Sequence, residues 1–129
     1  MANMHKLKKN VDIDTLAVKL AGFGTPVLIF LIAFGSATAS GLVGAAAITT
    51  ALSIIGPGGM LVGIGILIFS GPIIEVVTQG GFNLLFSRIV KELYNNGETK
   101  ETILEKIDSY KVSTSLKLEL KEKLNDLPD

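Results

Sequence analysis

One uncharged run limits what this chain can fold into. The 55 residues between Lys19 and Glu75 contain no Asp, Glu, Lys, Arg or His. A surface helix normally carries polar residues on its outer face, whereas about 20 apolar residues are enough for one helix to cross a bilayer. The run therefore predicts a membrane-inserted state. The alternative, a buried pair of core helices, would need more polar surface than this region supplies.

The composition excludes several other functions. The chain has no cysteine, one histidine and a formal net charge of zero. Disulfides, thiolate zinc sites, a catalytic triad and a multi-histidine metal site are therefore ruled out, and nothing indicates nucleic-acid binding. The glycines of "GPGGMLVGIG" do not form a phosphate-binding motif. We accordingly expect no enzyme and no cofactor.

Turn and helix signals divide the uncharged run into a hairpin. Thr25 followed by Pro26 is typical of a helix start, and residues 26–55 predict one long helix, or two pieces broken near residues 35–41. A second span over 57–79 follows a turn at 56–59, so that the predicted membrane domain covers 26–81. The residues that make the hairpin turn and a later kink are Gly56, Pro57, Gly58, Gly71 and Pro72.

The two flanks have amphipathic patterns. Residues 1–25 combine the basic "HKLKK" with apolar residues at helical spacing from Ile13 to Leu20. Residues 82–129 predict an amphipathic helix over 82–95, followed by a soluble helical tail with leucine stripes. The predicted fold is all-α: an integral membrane helical hairpin with an N-terminal amphipathic helix and a C-terminal helical tail. An alternative, cleavage of a signal peptide after "VLIFLIAF", is disfavoured by the long leading segment and its two aspartates.

Small residues recur four positions apart within the hairpin. In lipid, such residues let helix backbones approach closely, so they predict self-association as a homo-oligomer. The alternative is that they only close the hairpin. The predicted packing residues are Gly41, Gly44, Ala45, Gly59, Gly63 and Gly65.

Glu75 is the only ionisable residue between Lys19 and Arg88. A carboxylate within a membrane by default indicates a function. From Gly58 to Glu75 a straight helix would rise about 25 Å, which predicts an interfacial carboxylate that reaches headgroups or pairs with Arg88 or a lysine. The alternative is a ring of carboxylates at the mouth of an oligomeric pore.

The stretch "GLVGAAAITTALSIIGPGGMLVGIGILIF" resembles the small bacterial hydrophobic membrane proteins with glycine-zipper hairpins, some of which are bacteriocin-like or self-toxic effectors. The resemblance covers about residues 35 to 70 and rests on Gly41, Gly44, Gly59, Gly63 and Gly65. It implies a bilayer-bound, pore-forming or membrane-permeabilising protein. Basic residues lie before the first span and after the second, and by the positive-inside tendency they keep both termini cytoplasmic. Together with the resemblance, this predicts a bacterial inner-membrane location.

The leading functional hypothesis is thus a small membrane protein that self-associates and permeabilises membranes. The alternative is a non-catalytic membrane adaptor whose cytoplasmic tail, residues 96–129, recruits a soluble protein partner. A third hypothesis is a protein held in a larger assembly that inserts only on a trigger.

Overall fold

A computed structural model describes residues 12–55 and 65–127 of the chain. Within these ranges the regular structure is helical, and no strand occurs. A helical turn at residues 65–68 precedes the fourth helix. The helices are α1 (Ile13–Ala21), α2 (Pro26–Ala39), α3 (Gly44–Ile55), α4 (Ser70–Thr78), α5 (Phe82–Asn95), α6 (Lys100–Ser109) and α7 (Thr114–Asn125).

Helix α2 forms the centre of the fold. Every side chain from Val27 to Phe34 is buried, on all sides of the helix. A helix that is apolar all round must be surrounded by apolar groups, and here other helices of the same chain supply them. Helices α3, α5 and α7 pack directly on α2, while α1 packs on α5 and α6 on α7.

The helices around α2 are amphipathic, as their sequence patterns predict. Each buries one apolar stripe and leaves its charged residues outside. The predicted faces of α1, α5 and α7 are confirmed by burial of Leu16, Ala17 and Leu20; of Leu85, Phe86, Ile89, Val90 and Leu93; and of Leu116, Leu120 and Leu124. In α6, Ile103 and Ile107 are buried in the same way.

The predicted integral membrane hairpin is wrong. Within residues 12–55 and 65–127, no helix is both long enough and apolar enough to cross a bilayer. Helix α2 has 14 residues, which corresponds to about 21 Å, and a hydrocarbon core is about 30 Å thick. The predicted inner-membrane location fails for the same reason. The absence of charge in α2 reflects burial under other helices.

A turn between α2 and α3 divides residues 26–55 into two helices, which agrees with the alternative of two pieces broken near residues 35–41. The N–H of Gly41 donates to the carbonyl of Thr38 (3.0 Å), and the N–H of Leu42 donates to that of Ala37 (3.1 Å). These two bonds form a Schellman motif, which ends a helix. Gly41 has a φ of +104°, a conformation that favours glycine because it has no Cβ. The four-residue connection then returns the chain along α2 as α3.

Polar contacts attach the outer helices to one another. Arg88 on α5 forms an ion pair with Asp14 on α1. The Lys123 ammonium on α7 donates to Asn83 Oδ1 (2.6 Å) and lies 5.1 Å from the centroid of the Phe82 ring. Helices α1 and α7 are therefore both held against α5 by polar contacts.

Candidate interaction surface

The predicted packing glycines occupy several different environments. Gly41 and Gly44 have positive φ values and lie at the turn between α2 and α3, with no atom near the position of an added Cβ. Gly65 lies against the ring of Phe23, so closely that a Cβ would overlap it. That ring also meets Phe69 edge-to-face at 6.1 Å. Gly65 thus allows a close contact within the chain, and Gly59 and Gly63 lie outside the described residues.

The predicted kink residues lie at the start of a helix. Gly71 and Pro72 occupy the first turn of α4, just after a break at Phe69. A proline is tolerated there because the first N–H groups of a helix have no partner within it. The predicted turn residues Gly56, Pro57 and Gly58 lie outside the described residues.

Glu75 is half-exposed on α4. Arg88, one of the partners proposed for it from sequence, pairs with Asp14 instead. Within the described residues no ion pair includes Glu75. Its environment is therefore that of a partly solvated carboxylate on a short helix.

The exposed half of α3 is the feature that the sequence pattern did not single out. Ala47, Ile48 and Ala51 face α2 and are buried. The opposite half faces outward and contains no charged residue, although an outward helix face normally does. It consists of Ala45, Ala46, Thr49, Thr50, Ser53 and Ile54, of which Thr50 is half-exposed.

Two of the three hydroxyl groups on the exposed half of α3, those of Thr49 and Ser53, are bonded to their own backbone. Thr49 Oγ1 donates to the carbonyl of Ala45, and Ser53 Oγ donates to that of Thr50, each at 2.8 Å. At the end of α2, Thr38 and Ser40 make the same kind of bond at 2.8 Å. Since these donors already have partners, the surface offers solvent few unsatisfied groups.

Two apolar features flank the exposed half of α3. At its N-terminal end, the turn carries Leu42 and Val43, and Val43 is 78% exposed. We call these two residues the apolar tip. At the C-terminal end, Ile54 lines a cleft of about 390 Å³, which we call the Ile54 cleft. Its other lining residues are Ser36, Lys111, Val112, Ser113, Ser115, Leu116 and Glu119.

The apolar tip and the exposed half of α3 adjoin each other along the chain and contain no charged residue. We define the uncharged face as Ser36, residues 39–43 and the exposed half of α3. The outer sides of α1, α5, α6 and α7 carry lysines, arginine and carboxylates. A sequence signal for this face did exist, because "GSATASGLVGAAA" is too weakly hydrophobic to be surrounded by lipid, yet it contains no charge.

A second group of polar side chains lies between the start of α2 and the α5–α6 connection. Thr25, the predicted N-cap of α2, occupies that position, but its side chain makes no capping bond. It is 1% exposed, and its Oγ1 makes no hydrogen bond of normal geometry. Glu98 accepts from Thr102 Oγ1 (2.6 Å) and pairs with Lys106. The bonds from Lys106 and Thr102 hold the pKa of Glu98 below its usual value.

Tyr110 lies beside this group and titrates unusually. Burial, reinforced by the negative charge of Glu98, raises the pKa of Tyr110 to about 12, while the nearby Thr25 hydroxyl opposes the shift. Between about pH 10 and pH 12, Tyr110 is ionised in the unfolded chain and neutral in the folded chain. The folded state then binds more protons, so the stability falls as the pH rises through this window.

We therefore expect one tyrosine to ionise near pH 12 in the ultraviolet absorbance of tyrosinate. That transition should vanish in Tyr110→Phe and persist in the matched variant Tyr94→Phe. Ionisation of Tyr110 near its ordinary value of 10 would contradict its burial beside Glu98.

The described residues offer no metal-binding cluster of three or more His, Cys, Asp or Glu side chains. A second cleft, of about 320 Å³, is lined by Tyr94, Glu98, Thr99, Lys100 and Glu101. Thr99 is engaged in the capping box of α6, and Glu98 pairs with Lys106. These groups are therefore used to begin α6 and to fix its connection with α5.

No protein-family profile, curated protein or solved structure matches this chain.

Proposed function

We propose that the protein is a non-catalytic helical interaction protein that self-associates through the uncharged face. The observation that carries the proposal is the exposed half of α3, which has no charge and whose Thr49 and Ser53 hydroxyls donate to their own backbone. Such a surface on a short outward-facing helix has no evident role in holding this fold together.

Burial of the uncharged face in an interface has a small desolvation cost. A buried charge loses several kcal/mol of hydration unless it is paired, and a buried unpaired hydroxyl donor also carries a penalty. The exposed half of α3 has no charge, and its bonded hydroxyls lose few bonds to water when covered. The surface that would lose contact with water consists largely of methyl and methylene groups, and its burial is favourable by about 25 cal/mol per Å².

A second copy of the chain suits this face better than a charged partner. In a two-fold contact the same surface patch meets itself, so any charge near the axis would face an identical charge. The uncharged face avoids that repulsion. The charged sides of α1, α5, α6 and α7 offer a docking copy far more groups that would have to be desolvated or matched.

The other hypotheses from sequence have less support. The adaptor hypothesis relied on the leucine stripe of the tail, and Leu116, Leu120 and Leu124 are buried in the fold. The permeabilising hypothesis relied on membrane-crossing helices, which the described residues lack. A non-catalytic role is consistent with the use of the polar groups near Glu98 in helix capping and ion pairing.

The test is the substitution Ala46→Glu at the centre of the exposed half of α3. A dimer of the variant would place two unpaired carboxylates in an interface that excludes water, and each would cost several kcal/mol. We therefore expect the self-association constant to fall at least about 100-fold. Sedimentation equilibrium over a dilution series gives the constants of the variant and the unmodified chain.

The matched control is Val18→Glu, which adds the same charge to α1 at a position that is 52% exposed. It should associate as the unmodified chain does. Equal constants for Ala46→Glu and the unmodified chain would overturn the proposal, as would equal weakening by both variants.

A further inference from the structure

We propose that Asn96 is a site of spontaneous deamidation, and that the turn at the end of α5 controls its rate by holding the reacting atoms apart. Asn96 and Gly97 form the only Asn-Gly pair of the whole sequence, and both residues are exposed where α5 ends. Such a pair is reactive because glycine has no Cβ to hinder approach to its backbone nitrogen. The modification needs water and no enzyme.

The reaction is an attack of the backbone on a neighbouring side chain. The backbone nitrogen of Gly97 forms a bond to Cγ of Asn96, and the bond from Cγ to Nδ2 breaks. The proton of the Gly97 nitrogen leaves with Nδ2 as ammonia, so that a five-membered cyclic imide remains. Water then opens the imide at either of its two carbonyl carbons, which gives aspartate or isoaspartate at position 96. No oxidant or further reactant takes part.

The folded turn holds the two reacting atoms apart. Ring closure requires the Gly97 nitrogen to be nearly eclipsed with Cβ of Asn96 about the Cα–C bond. The ψ angle of Asn96 is 7°, which places that nitrogen nearly eclipsed with the backbone nitrogen of Asn96 instead, and therefore away from Cβ. The imide cannot form until the turn has opened.

Two backbone hydrogen bonds keep the turn in this conformation. The N–H of Gly97 donates to the carbonyl of Tyr94 at 3.0 Å. The N–H of Glu98 donates to that of Leu93, also at 3.0 Å. The two bonds form a Schellman motif, with Gly97 at a φ of +104°. Because the Glu98 side chain also pairs with Lys106, the turn is held by one ion pair as well as by two backbone bonds.

The products would weaken the connection between α5 and α6. Either product adds a negative charge at the C-terminal end of α5, where the helix dipole is already negative and the last turn carries no basic residue. Isoaspartate also lengthens the backbone by one carbon atom before Gly97, so the Schellman bonds lose their register. Thr99, whose side chain caps α6, follows directly and would lose its fixed position.

Ageing of the folded full chain at neutral pH tests the proposal. Trypsin cleavage after Lys91 and Lys100 releases residues 92–100, in which fragmentation by mass spectrometry locates the deamidated asparagine. The reference is the same peptide aged free in solution. Two backbone bonds and an ion pair reduce the open population by about 10- to 100-fold, so Asn96 should react more slowly in the folded chain by this factor. Asn95 should stay unmodified, because the side chain of the next residue hinders the attack.

Two ion-pair variants show whether the turn sets the rate. Lys106→Ala removes the partner of Glu98 and should raise the deamidation rate by about two- to fivefold. The matched variant Lys121→Ala breaks an ion pair with Asp108, between α6 and α7, and should leave the rate unchanged. Equal rates for both variants would overturn control by the turn.

Other outcomes bear on the site itself. Deamidation of the folded chain as fast as that of the free peptide would overturn control by the turn. If Asn96 stays unmodified after several hundred half-times of the peptide, or if Asn95 reacts first, the site is wrong.

The effect of the product is measured by urea unfolding of aged chains. The aged natural chain should unfold at a lower urea concentration than an aged Asn96→Gln chain, whose longer side chain closes a ring far more slowly. Equal midpoints would overturn the proposed weakening of the connection between α5 and α6.

Discussion

Phe30→Ala is expected to lower the free energy of unfolding by about 3–5 kcal/mol, the usual range for a buried phenylalanine. Phe30 is fully buried in the middle of α2 and stacks on Phe34 with the ring centroids 6.0 Å apart. The substitution removes apolar contacts on a helix that other helices enclose. Since a domain of this size is stable by about 5–15 kcal/mol, the loss is readily measured by urea unfolding.

The control for this substitution is Phe82→Ala. Phe82 is half-exposed at the start of α5, where its ring lies beneath the Lys123 ammonium. Its replacement should cost clearly less than that of Phe30. A loss of less than about 1 kcal/mol for Phe30→Ala would contradict the enclosure of α2, because removal of a fully buried aromatic side chain normally lowers the free energy of unfolding by several times that amount.

Leu120→Ala should lower the free energy of unfolding by about 2–5 kcal/mol. Leu120 is fully buried in the stripe by which α7 covers α2. The matched variant is Leu118→Ala on the same helix, at a position that is 54% exposed. It makes the same chemical change and should alter the stability by less than about 1 kcal/mol. Urea unfolding of both variants gives the comparison.

The difference between these two leucines also decides the role of the tail. If Leu120→Ala and Leu118→Ala have equally small effects, α7 does not hold the fold together. Its leucine stripe would then be free to bind a partner, as the adaptor hypothesis requires. A large effect at Leu120 alone means that the stripe is used within the chain.

Local sequence signals predicted the helices on either side of the uncharged run well. The spacing of apolar residues from Ile13 to Leu20 identified the buried face of α1, and Ser113 accepts from the N–H of Leu116 at the start of α7. Such signals act over one or two turns and depend on side-chain periodicity and on hydrogen bonds to the first N–H groups. They remain valid whatever surrounds the helix.

The surroundings of α2 could not be predicted in the same way. An all-apolar helix has the same sequence whether lipid or protein covers it. Its environment depends on α5 and α7, which begin more than 40 residues after α2 ends and carry no local sequence signal of what they cover. The end of α2 was predicted only as the alternative of a break near residues 35–41, because it depends on the left-handed conformation of Gly41.

The interaction surface was only partly accessible from sequence. Small residues around Gly44 and Ala45 were identified, but their packing was assigned to helices within a bilayer. The orientation of α3 determines which small residues face outward, and only the contacts of Ala47, Ile48 and Ala51 with the core fix it. The Ile54 cleft joins α3 to the α6–α7 connection, residues that no sequence pattern brings together.

The mass of the unmodified chain in solution tests the central claim most directly. Sedimentation equilibrium from about 1 µM to 1 mM covers the affinities expected of a small interface. We expect the average mass to rise with concentration from one chain toward two and to stop there. A mass of one chain throughout this range would contradict self-association through the uncharged face.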